Sequence, residues 1–173
     1  MTKTYLSLGS NIGDRRKNIA QAIDALLLHG VRVLRKSSLY ETEPVEMTDQ
    51  PWFVNCVVEA ETDLQPDELM ETLLSIEREM GRERLVPKGP RLIDIDILLY
   101  DAQALHTSKV EIPHPRMTER KFVLAPLAEI APDVRHPVLN KTAAELAEGT
   151  PDQSEIRKLT TDPGKVVRKE DLG

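Results

Sequence analysis

The 173-residue sequence has little of what is typical of secreted, membrane-bound or nucleic-acid-binding proteins. It contains one cysteine, Cys56, which excludes an internal disulfide framework and is typical of a reducing cytoplasm. No apolar run is long enough to span a membrane, and the first residues lack the layout of a signal peptide. The formal net charge of −6 disfavours nucleic-acid binding, because neutralising phosphates needs a basic surface. We therefore expect a cytoplasmic monomer that binds neither membrane nor nucleic acid.

Two common nucleotide-binding motifs are also missing from the sequence. It has no Gly-x-x-x-x-Gly-Lys-Ser/Thr phosphate-binding loop and no glycine-rich kinase loop. Aromatic residues are scarce, with two Phe, one Trp and three Tyr. A nucleotide would therefore have to be held by a less familiar scaffold.

Alternation and helical periodicity predict one domain over residues 1–150. Strands are predicted at 4–9, 31–41, 53–61 and 89–101, and helices at 14–29 and 66–81. The order β-α-β-β-α-β predicts an α/β (α+β) fold with a ferredoxin-like core, a mainly antiparallel sheet and helices on both sides. Two further helices are expected at 118–130 and 142–149. Residues 151–173 are predicted to form a loosely held polar tail with one edge strand at 165–168.

The stretch "GPRLIDIDILLYD" places two carboxylates in an otherwise apolar strand. Alternation puts Asp94 and Asp96 on one face together with Tyr100, and the isoleucines on the other. Alternate positions lie roughly 6.5–7 Å apart along a strand, so both acids could bind metal ions shared with a substrate. Oxygen ligands of this kind suit Mg²⁺, which takes further ligands from phosphates. Two solvent-facing acids on an edge strand are the alternative.

Positive charge is concentrated on both sides of this strand. The upstream cations are Arg78, Arg82, Arg84, Lys88 and Arg91, and the downstream ones are His114, Arg116, Arg120 and Lys121. Acids for Mg²⁺ flanked by cations favour nucleotide-dependent phosphoryl transfer. The alternatives are a solvated helix end for the arginines and a structural turn for His114. The "GSNIGD" segment is either a phosphate loop or a strand-to-helix turn.

Several motifs together resemble a known family. They include "LGSNIGD", "SSLYETEPV", "DQPWFVNCVV", "IEREMGRER", "GPRLIDIDILLYD" and "IPHPRMTERKFVLAPLAEIAP". The chain resembles the 6-hydroxymethyl-7,8-dihydropterin pyrophosphokinases from about residue 4 to about residue 140. These folate-pathway enzymes transfer a pyrophosphoryl group from ATP to a pterin alcohol.

The resemblance implies roles that the residues alone do not reveal. Asp94 and Asp96 would hold two Mg²⁺ ions that bridge the ATP phosphates, and Arg82 and Arg91 would join them as catalytic residues. The residues implied to bind ATP are Glu77, Arg82, Arg84, Arg91, His114 and Arg120. The pterin edge would be read by Thr42, Asn55 and the backbone around Pro44 and Val45, and its ring would lie between Phe53 and Phe122.

Two other classes of function are weighed against this enzyme. A non-catalytic ferredoxin-like ligand-binding module would not need two neighbouring metal ligands on one face. A Mg²⁺-dependent nuclease could use the same acids, but the negative net charge and the lack of a broad basic surface disfavour it. Release of AMP from ATP in the presence of the pterin distinguishes the enzyme from the binding module, and a salt-sensitive shift of DNA on a gel would favour the nuclease.

Overall fold

The structure, a computed structural model, describes residues 1–44, 49–81 and 92–159. Its helices are α1 (Arg15–Leu28), α2 (Pro66–Glu79), α3 (Lys121–Ile130) and α4 (Ala143–Gly149), with a 3-10 turn at Met117–Glu119. Its strands are β1 (Thr2–Ser10), β2 (Val31–Lys36), β3 (Tyr40–Thr42), β4 (Phe53–Thr62), β5 (Asp94–Tyr100), β6 (Leu105–His106), β7 (Glu111–Ile112) and β8 (Ile156–Lys158).

The main sheet has the strand order β5-β1-β4-β3-β8, with β2 also paired to β4. Every pairing among the described strands is antiparallel, and β6 and β7 form a separate small ribbon. Strand β1 lies between β5 and β4 and pairs with both. The ferredoxin-like β-α-β-β-α-β order is therefore confirmed.

The predicted single strand at 31–41 is wrong, because the chain divides it into β2 and β3. Both pieces pair with β4, and the break lies opposite Val57. There the Ser37 backbone N–H donates to the Val57 carbonyl at 2.9 Å, and the Val57 N–H donates to the Ser37 hydroxyl at 3.0 Å. A side chain thus replaces a backbone acceptor, which interrupts the ladder.

Two hydrophobic cores lie on opposite faces of the sheet. Helices α1 and α2 cover one face with residues such as Ile19, Leu26, Leu73 and Ile76. Helices α3 and α4 contribute to a second core on the other face, against residues such as Val57. This confirms the prediction of helices on both sides. Among the described residues, no helix has the length and apolar character needed to cross a membrane.

Helix ends follow the sequence signals in most places. The Asp14 carboxylate accepts from the Lys17 N–H at 3.1 Å and caps α1, and Thr142 and Glu145 form a capping box on α4. The predicted helix over 118–130 is wrong in its first turn. The 3-10 turn ends at Glu119, the backbone of Arg120 is extended, and α3 begins only at Lys121.

A β-bulge at Leu98 changes which residues of β5 share a face. Leu6 of β1 pairs with Ile97, whereas Tyr5 pairs with Leu99, so Leu98 has no partner across the ladder. Tyr100 consequently packs in the α1 and α2 core, and its hydroxyl donates to the Leu64 carbonyl at 2.6 Å. The prediction that Tyr100 shares a face with Asp94 and Asp96 is wrong for this reason.

The first part of the polar tail forms β8, which pairs with β3 at the edge of the sheet. The edge strand expected at 165–168 lies outside the described residues. A domain boundary at residue 150 remains a prediction.

Candidate active site

Four residues form a row across the face of the sheet on which α3 packs. Gly9 of β1 pairs with Asp94 of β5 on one side and with Asn55 of β4 on the other, and Asn55 pairs with Tyr40 of β3. Directly paired residues of an antiparallel sheet point to the same face. The row therefore runs from the acidic strand β5 at one edge of the sheet to β3, which lies next to the other edge strand, β8.

Asp94 and Asp96 lie on this same face, and both are half-buried. Their cross-strand partners on β1 are Gly9 and Ser7, which are small, so the carboxylates are not crowded from that side. Among the described residues, no cluster of three or more histidine, cysteine or acidic side chains could hold a metal ion by itself. The pair fits Mg²⁺, which accepts carboxylate oxygens and completes its shell with water and substrate phosphate.

Asn55 and Thr42 are joined by a buried hydrogen bond. The Asn55 side-chain amide donates to the Thr42 hydroxyl at 2.6 Å, and both residues are almost wholly buried. Thr42 pairs with Phe53, which begins β4 and is half-buried, and Pro44 is buried just beyond β3. The structure therefore brings these four predicted pterin-binding residues to one corner of the face.

Gly9 is a residue of this face whose role the sequence did not reveal. A β-carbon at Gly9 would lie closer than 3.0 Å to Oδ1 of Asn55, and 3.6 Å from Cδ1 of Phe53. Glycine in a strand interior is the available signal, since it often marks a close approach of other groups. The Asn55 amide occupies the space that a side chain at Gly9 would fill.

The rest of the "GSNIGD" segment forms a strand-to-helix turn held by its own side chains. The Asn11 amide donates to the Gln50 side chain at 2.8 Å and to the Pro51 carbonyl at 2.9 Å. The Asn18 amide donates to the Ser10 hydroxyl at 3.1 Å and to the Ile12 carbonyl at 2.8 Å. These bonds favour the structural alternative for this segment over a phosphate loop.

Phe122 lies in the first turn of α3 and is half-buried. Its ring packs against the core that includes Leu124, and the Arg120 guanidinium lies 5.5 Å from the ring centroid. This cation–π contact links a residue predicted to bind pterin with one predicted to bind ATP.

His114 is a neutral hydrogen-bond donor near Asp94. Burial, followed by the positive charges of Arg120 and Arg116, lowers the pKa of His114 from 6.5 to about 4 against the opposing effect of Asp94. Its Nδ1 accepts from the Arg116 backbone N–H at 3.2 Å, so the proton of the neutral ring is on Nε2. The ring can therefore donate one hydrogen bond to a phosphate oxygen.

Glu77, predicted to bind ATP, lies at the end of α2 and is buried. Its carboxylate accepts from the Ile95 backbone N–H at 3.4 Å, at the outer edge of β5. Ile95 stands between Asp94 and Asp96, so Glu77 supports the acidic strand. Its contact with ATP stays a prediction.

Four predicted site residues, Val45, Arg82, Arg84 and Arg91, lie outside the described residues, and their roles stay predictions. Cys56 is fully buried in the α1 and α2 core, and burial raises the pKa of its thiol to about 12. It is therefore an inert core residue at neutral pH.

Comparison with known proteins places this arrangement in a family. The family model of 7,8-dihydro-6-hydroxymethylpterin-pyrophosphokinase (HPPK) matches residues 5–132. A 2-amino-4-hydroxy-6-hydroxymethyldihydropteridine pyrophosphokinase of Bacillus subtilis is 51% identical over 131 residues, 75% of this chain and 78% of that protein. One of the same name from Methylorubrum extorquens is 47% identical over 135 residues, covering 78% and 85%.

Longer proteins also contain this unit. The folic acid synthesis protein fol1 of Pneumocystis carinii is 44% identical over 144 residues, and the match covers 83% of this chain and 20% of that protein. This chain thus spans about a fifth of its length. A solved HPPK-DHPS structure of Plasmodium falciparum superposes with a TM-score of 0.66 at 18% identity, over 85% of this chain and 43% of that one, and supports the fold alone. The chain belongs to the HPPK family, and it is a pyrophosphokinase of folate biosynthesis.

Proposed function

We propose that this enzyme transfers the pyrophosphoryl group of ATP to 6-hydroxymethyl-7,8-dihydropterin. The hydroxymethyl oxygen attacks the β-phosphorus in line and forms a new P–O bond. The bond between the β-phosphorus and the oxygen that bridges to the α-phosphate breaks, AMP leaves with that oxygen, and the hydroxyl proton is released. The products are AMP and the pterin pyrophosphate.

The observation that carries this proposal is the row Asp94–Gly9–Asn55. Two strand spacings separate the first and last backbone positions, which is roughly 10 Å. The acids that suit a metal–phosphate complex are thus on one face with the amide that suits a heterocycle edge. A pterin at Asn55 would point its hydroxymethyl group toward phosphates held at Asp94 and Asp96. Such placement lowers the entropy cost of bringing the two substrates together.

Asp94 and Asp96 would hold Mg²⁺, and we propose two ions. Bound there, the metal would neutralise charge on the ATP phosphates and on the transferring group. The His114 Nε2–H group and the Arg120 guanidinium would donate to phosphate oxygens beside these acids. Arg82, Arg84 and Arg91 would add further phosphate contacts, and Glu77 would contact ATP.

The pterin would be held by shape and hydrogen bonds, because its ring offers no charge to bind. Phe53 and Phe122 would stack on its two faces. Asn55 and Thr42, with the backbone around Pro44 and Val45, would read its edge. We assign no dedicated general base, so positioning and electrostatic stabilisation would supply most of the rate acceleration.

The test is a product analysis with the full chain, ATP, Mg²⁺ and 6-hydroxymethyl-7,8-dihydropterin. AMP and pterin pyrophosphate should form in equal amounts, and neither should form without the pterin or with excess chelator. Formation of ADP instead of AMP would contradict pyrophosphoryl transfer. Tight pterin binding without any AMP would favour the non-catalytic module. The cytoplasmic location and the monomeric state both remain predictions. Size-exclusion chromatography with light scattering tests the monomeric state.

A further inference from the structure

Residues 150–159, here called the strap, connect two parts of the candidate site. They lie beyond residues 5–132, which match the family model. On one side, β8 of the strap pairs with β3, so that Ile156 lies opposite Thr42. The Glu43 N–H donates to the Glu155 carbonyl at 3.1 Å, and the Leu159 N–H donates to the Leu39 carbonyl at 2.8 Å, which extends the attachment at both ends.

On its other side, the strap caps the beginning of α3. The Asp152 carboxylate accepts from the Lys121 backbone N–H at 2.8 Å. The first N–H groups of a helix have no partner within it, and Arg120 at the N-cap supplies no side-chain acceptor here. The Thr150 hydroxyl also donates to the Thr118 carbonyl at 3.0 Å, just before α3.

The two attachments lie close together in the chain. Asp152 and Ile156 are four residues apart, so even a fully extended segment spans only about 13–14 Å between them. Strand β3 carries Thr42 and the first turn of α3 carries Phe122. While both attachments are intact, the distance between these two elements therefore cannot exceed that span plus the lengths of the two attachments themselves.

A third contact links β8 to the residue that precedes β4. The Arg157 guanidinium lies 4.8 Å from the Trp52 ring centroid, and Trp52 directly precedes Phe53. The Asp152 carboxylate is itself held, since its Oδ1 accepts from the Ser154 N–H at 2.8 Å. The strap is thus an ordered bridge with defined contacts at both ends.

We propose that the strap positions the two walls of the pterin slot, with Asp152 fixing Phe122 through α3 and β8 fixing Thr42 through β3. This inference rests on the proposed pterin-binding role of those two residues. Asp152 is a positioning residue, because its carboxylate accepts from the backbone N–H groups of Lys121 and Ser154 and acts on the slot through α3. Its effect should fall on pterin binding more than on the phosphate site at Asp94 and Asp96.

The first test compares Asp152→Ala with Thr142→Ala in the full chain. Both remove a side-chain cap, from α3 and from α4 respectively. Asp152→Ala should weaken pterin binding by about 3- to 30-fold, the range that loss of a cap allows, and should change ATP binding by less than about twofold. Asp152→Asn, which keeps an acceptor oxygen, should recover most of the affinity. Thr142→Ala should lower the melting temperature about as much as Asp152→Ala does, but it should leave the affinities for pterin and ATP unchanged.

Three outcomes would overturn the proposal: unchanged pterin binding in Asp152→Ala, equal loss for pterin and ATP, or an equal pterin defect in Thr142→Ala. If Asp152→Ala does not fold, Thr150→Val is the second variant. It removes the hydroxyl that donates to the Thr118 carbonyl and accepts from the Asp152 N–H, and it should give a smaller defect of the same selectivity. A normal pterin affinity in Thr150→Val would then count against the strap. Pterin binding by the unsubstituted chain tests the proposed function separately from the role of the strap. If that chain does not bind pterin, the proposed function itself is contradicted.

Discussion

Gly9 of β1 and Asn55 of β4 face each other so closely that a side chain at Gly9 would occupy the place of the Asn55 amide. The amide oxygen lies on the Gly9 side, and the amide nitrogen donates to the Thr42 hydroxyl at 2.6 Å. Because Gly9 has no side chain, the Asn55 amide can adopt this orientation, and the hydrogen bond to Thr42 holds it there. This orientation leaves Asn55 beside Phe53 and in line with Asp94.

Gly9→Ala should therefore displace Asn55 and weaken pterin binding. We expect a loss of about 1–3 kcal/mol, the cost of leaving a buried polar group without its partner, with ATP affinity much less affected. Isothermal titration with each ligand measures both. Gly149→Ala is the matched control, since a β-carbon there meets no atom within 4 Å. Gly9→Ala should also lower the free energy of unfolding, and this loss should be small when Asn55 has already been replaced by Ala. An equal loss of unfolding free energy with and without the Asn55 side chain would contradict the displacement.

The two phenylalanines are expected to differ in their effect on ATP. Phe53→Leu keeps apolar volume but loses the flat ring, so pterin binding should fall by roughly 1–3 kcal/mol with ATP binding unchanged. Phe122→Leu should show the same pterin defect and a smaller ATP defect of about 0.5–1 kcal/mol, because Arg120 loses its cation–π contact. Equal loss of ATP binding in both variants would indicate that the rings only pack in the core.

Asp96→Asn should lower turnover by at least ~10²-fold, about 2.7 kcal/mol of transition-state stabilisation, because the neutral amide is a poor ligand for Mg²⁺. The melting temperature of the ligand-free protein should hold or rise slightly, since one of two neighbouring negative charges is removed. Asp101→Asn makes the same change in the turn after β5 and should leave turnover normal. Intact turnover in Asp96→Asn, with a lower melting temperature, would assign the paired acids to the fold.

Glu59 should make the stability depend on pH. Burial alone would raise the pKa of Glu59, but hydrogen bonds from Arg35 and Tyr5 and the charges of Arg35 and Lys3 lower it below 4.5 on balance. A lowered pKa gives stability that is present above pH 4.5 and lost as the pH falls through the folded-state pKa. Urea unfolding should show Glu59→Gln to be less stable than the unsubstituted protein at pH 7, with the difference shrinking below about pH 4.5.

Glu61→Gln is the matched control for Glu59. Glu61 forms an ion pair with Arg32 at 3.6 Å, and the Arg32 side chain is largely exposed. Such pairs contribute little, so Glu61→Gln should show only a small loss of stability at pH 7. A stability difference for Glu59→Gln that stays constant from pH 7 to pH 3 would contradict the assignment.

The sequence predicts the order of strands and helices along the chain and the acidic face of β5, because strand alternation and helical periodicity depend only on local spacing. Asp94 and Asp96 fall on one face, and Phe53 and Asn55 on the same side of β4, as their spacing requires. The break at Ser37 is different, since it depends on a hydroxyl meeting the Val57 N–H across the sheet. No local pattern encodes that meeting.

Gly9 and Asp152 are missed for a related reason. The clash at Gly9 exists only once the register of β1 on β4 is known. The capping of α3 by Asp152 joins residues 31 positions apart, so the polar composition of the tail alone suggests a loosely held segment. Both are tertiary relationships, and each involves residues whose own sequence context fits a simpler role.

The bulge at Leu98 changes which positions of β5 should tolerate polar substitutions, because the alternation of core-facing residues shifts there. Before it, Ile93, Ile95 and Ile97 face the core under α1 and α2, and after it Tyr100 does so, whereas Leu98 and Leu99 both face the core under α3. A saturation scan of this strand should therefore show odd-numbered positions intolerant of polar residues up to 97, and then three consecutive intolerant positions. Deleting Leu98 would remove the residue that has no partner and restore strict alternation, because Leu99 would then follow Ile97 directly and still pair with Tyr5. Leu99 would stay under α3 and Tyr100 would keep its hydrogen bond to Leu64, so the deletion should cost only the buried side chain of Leu98.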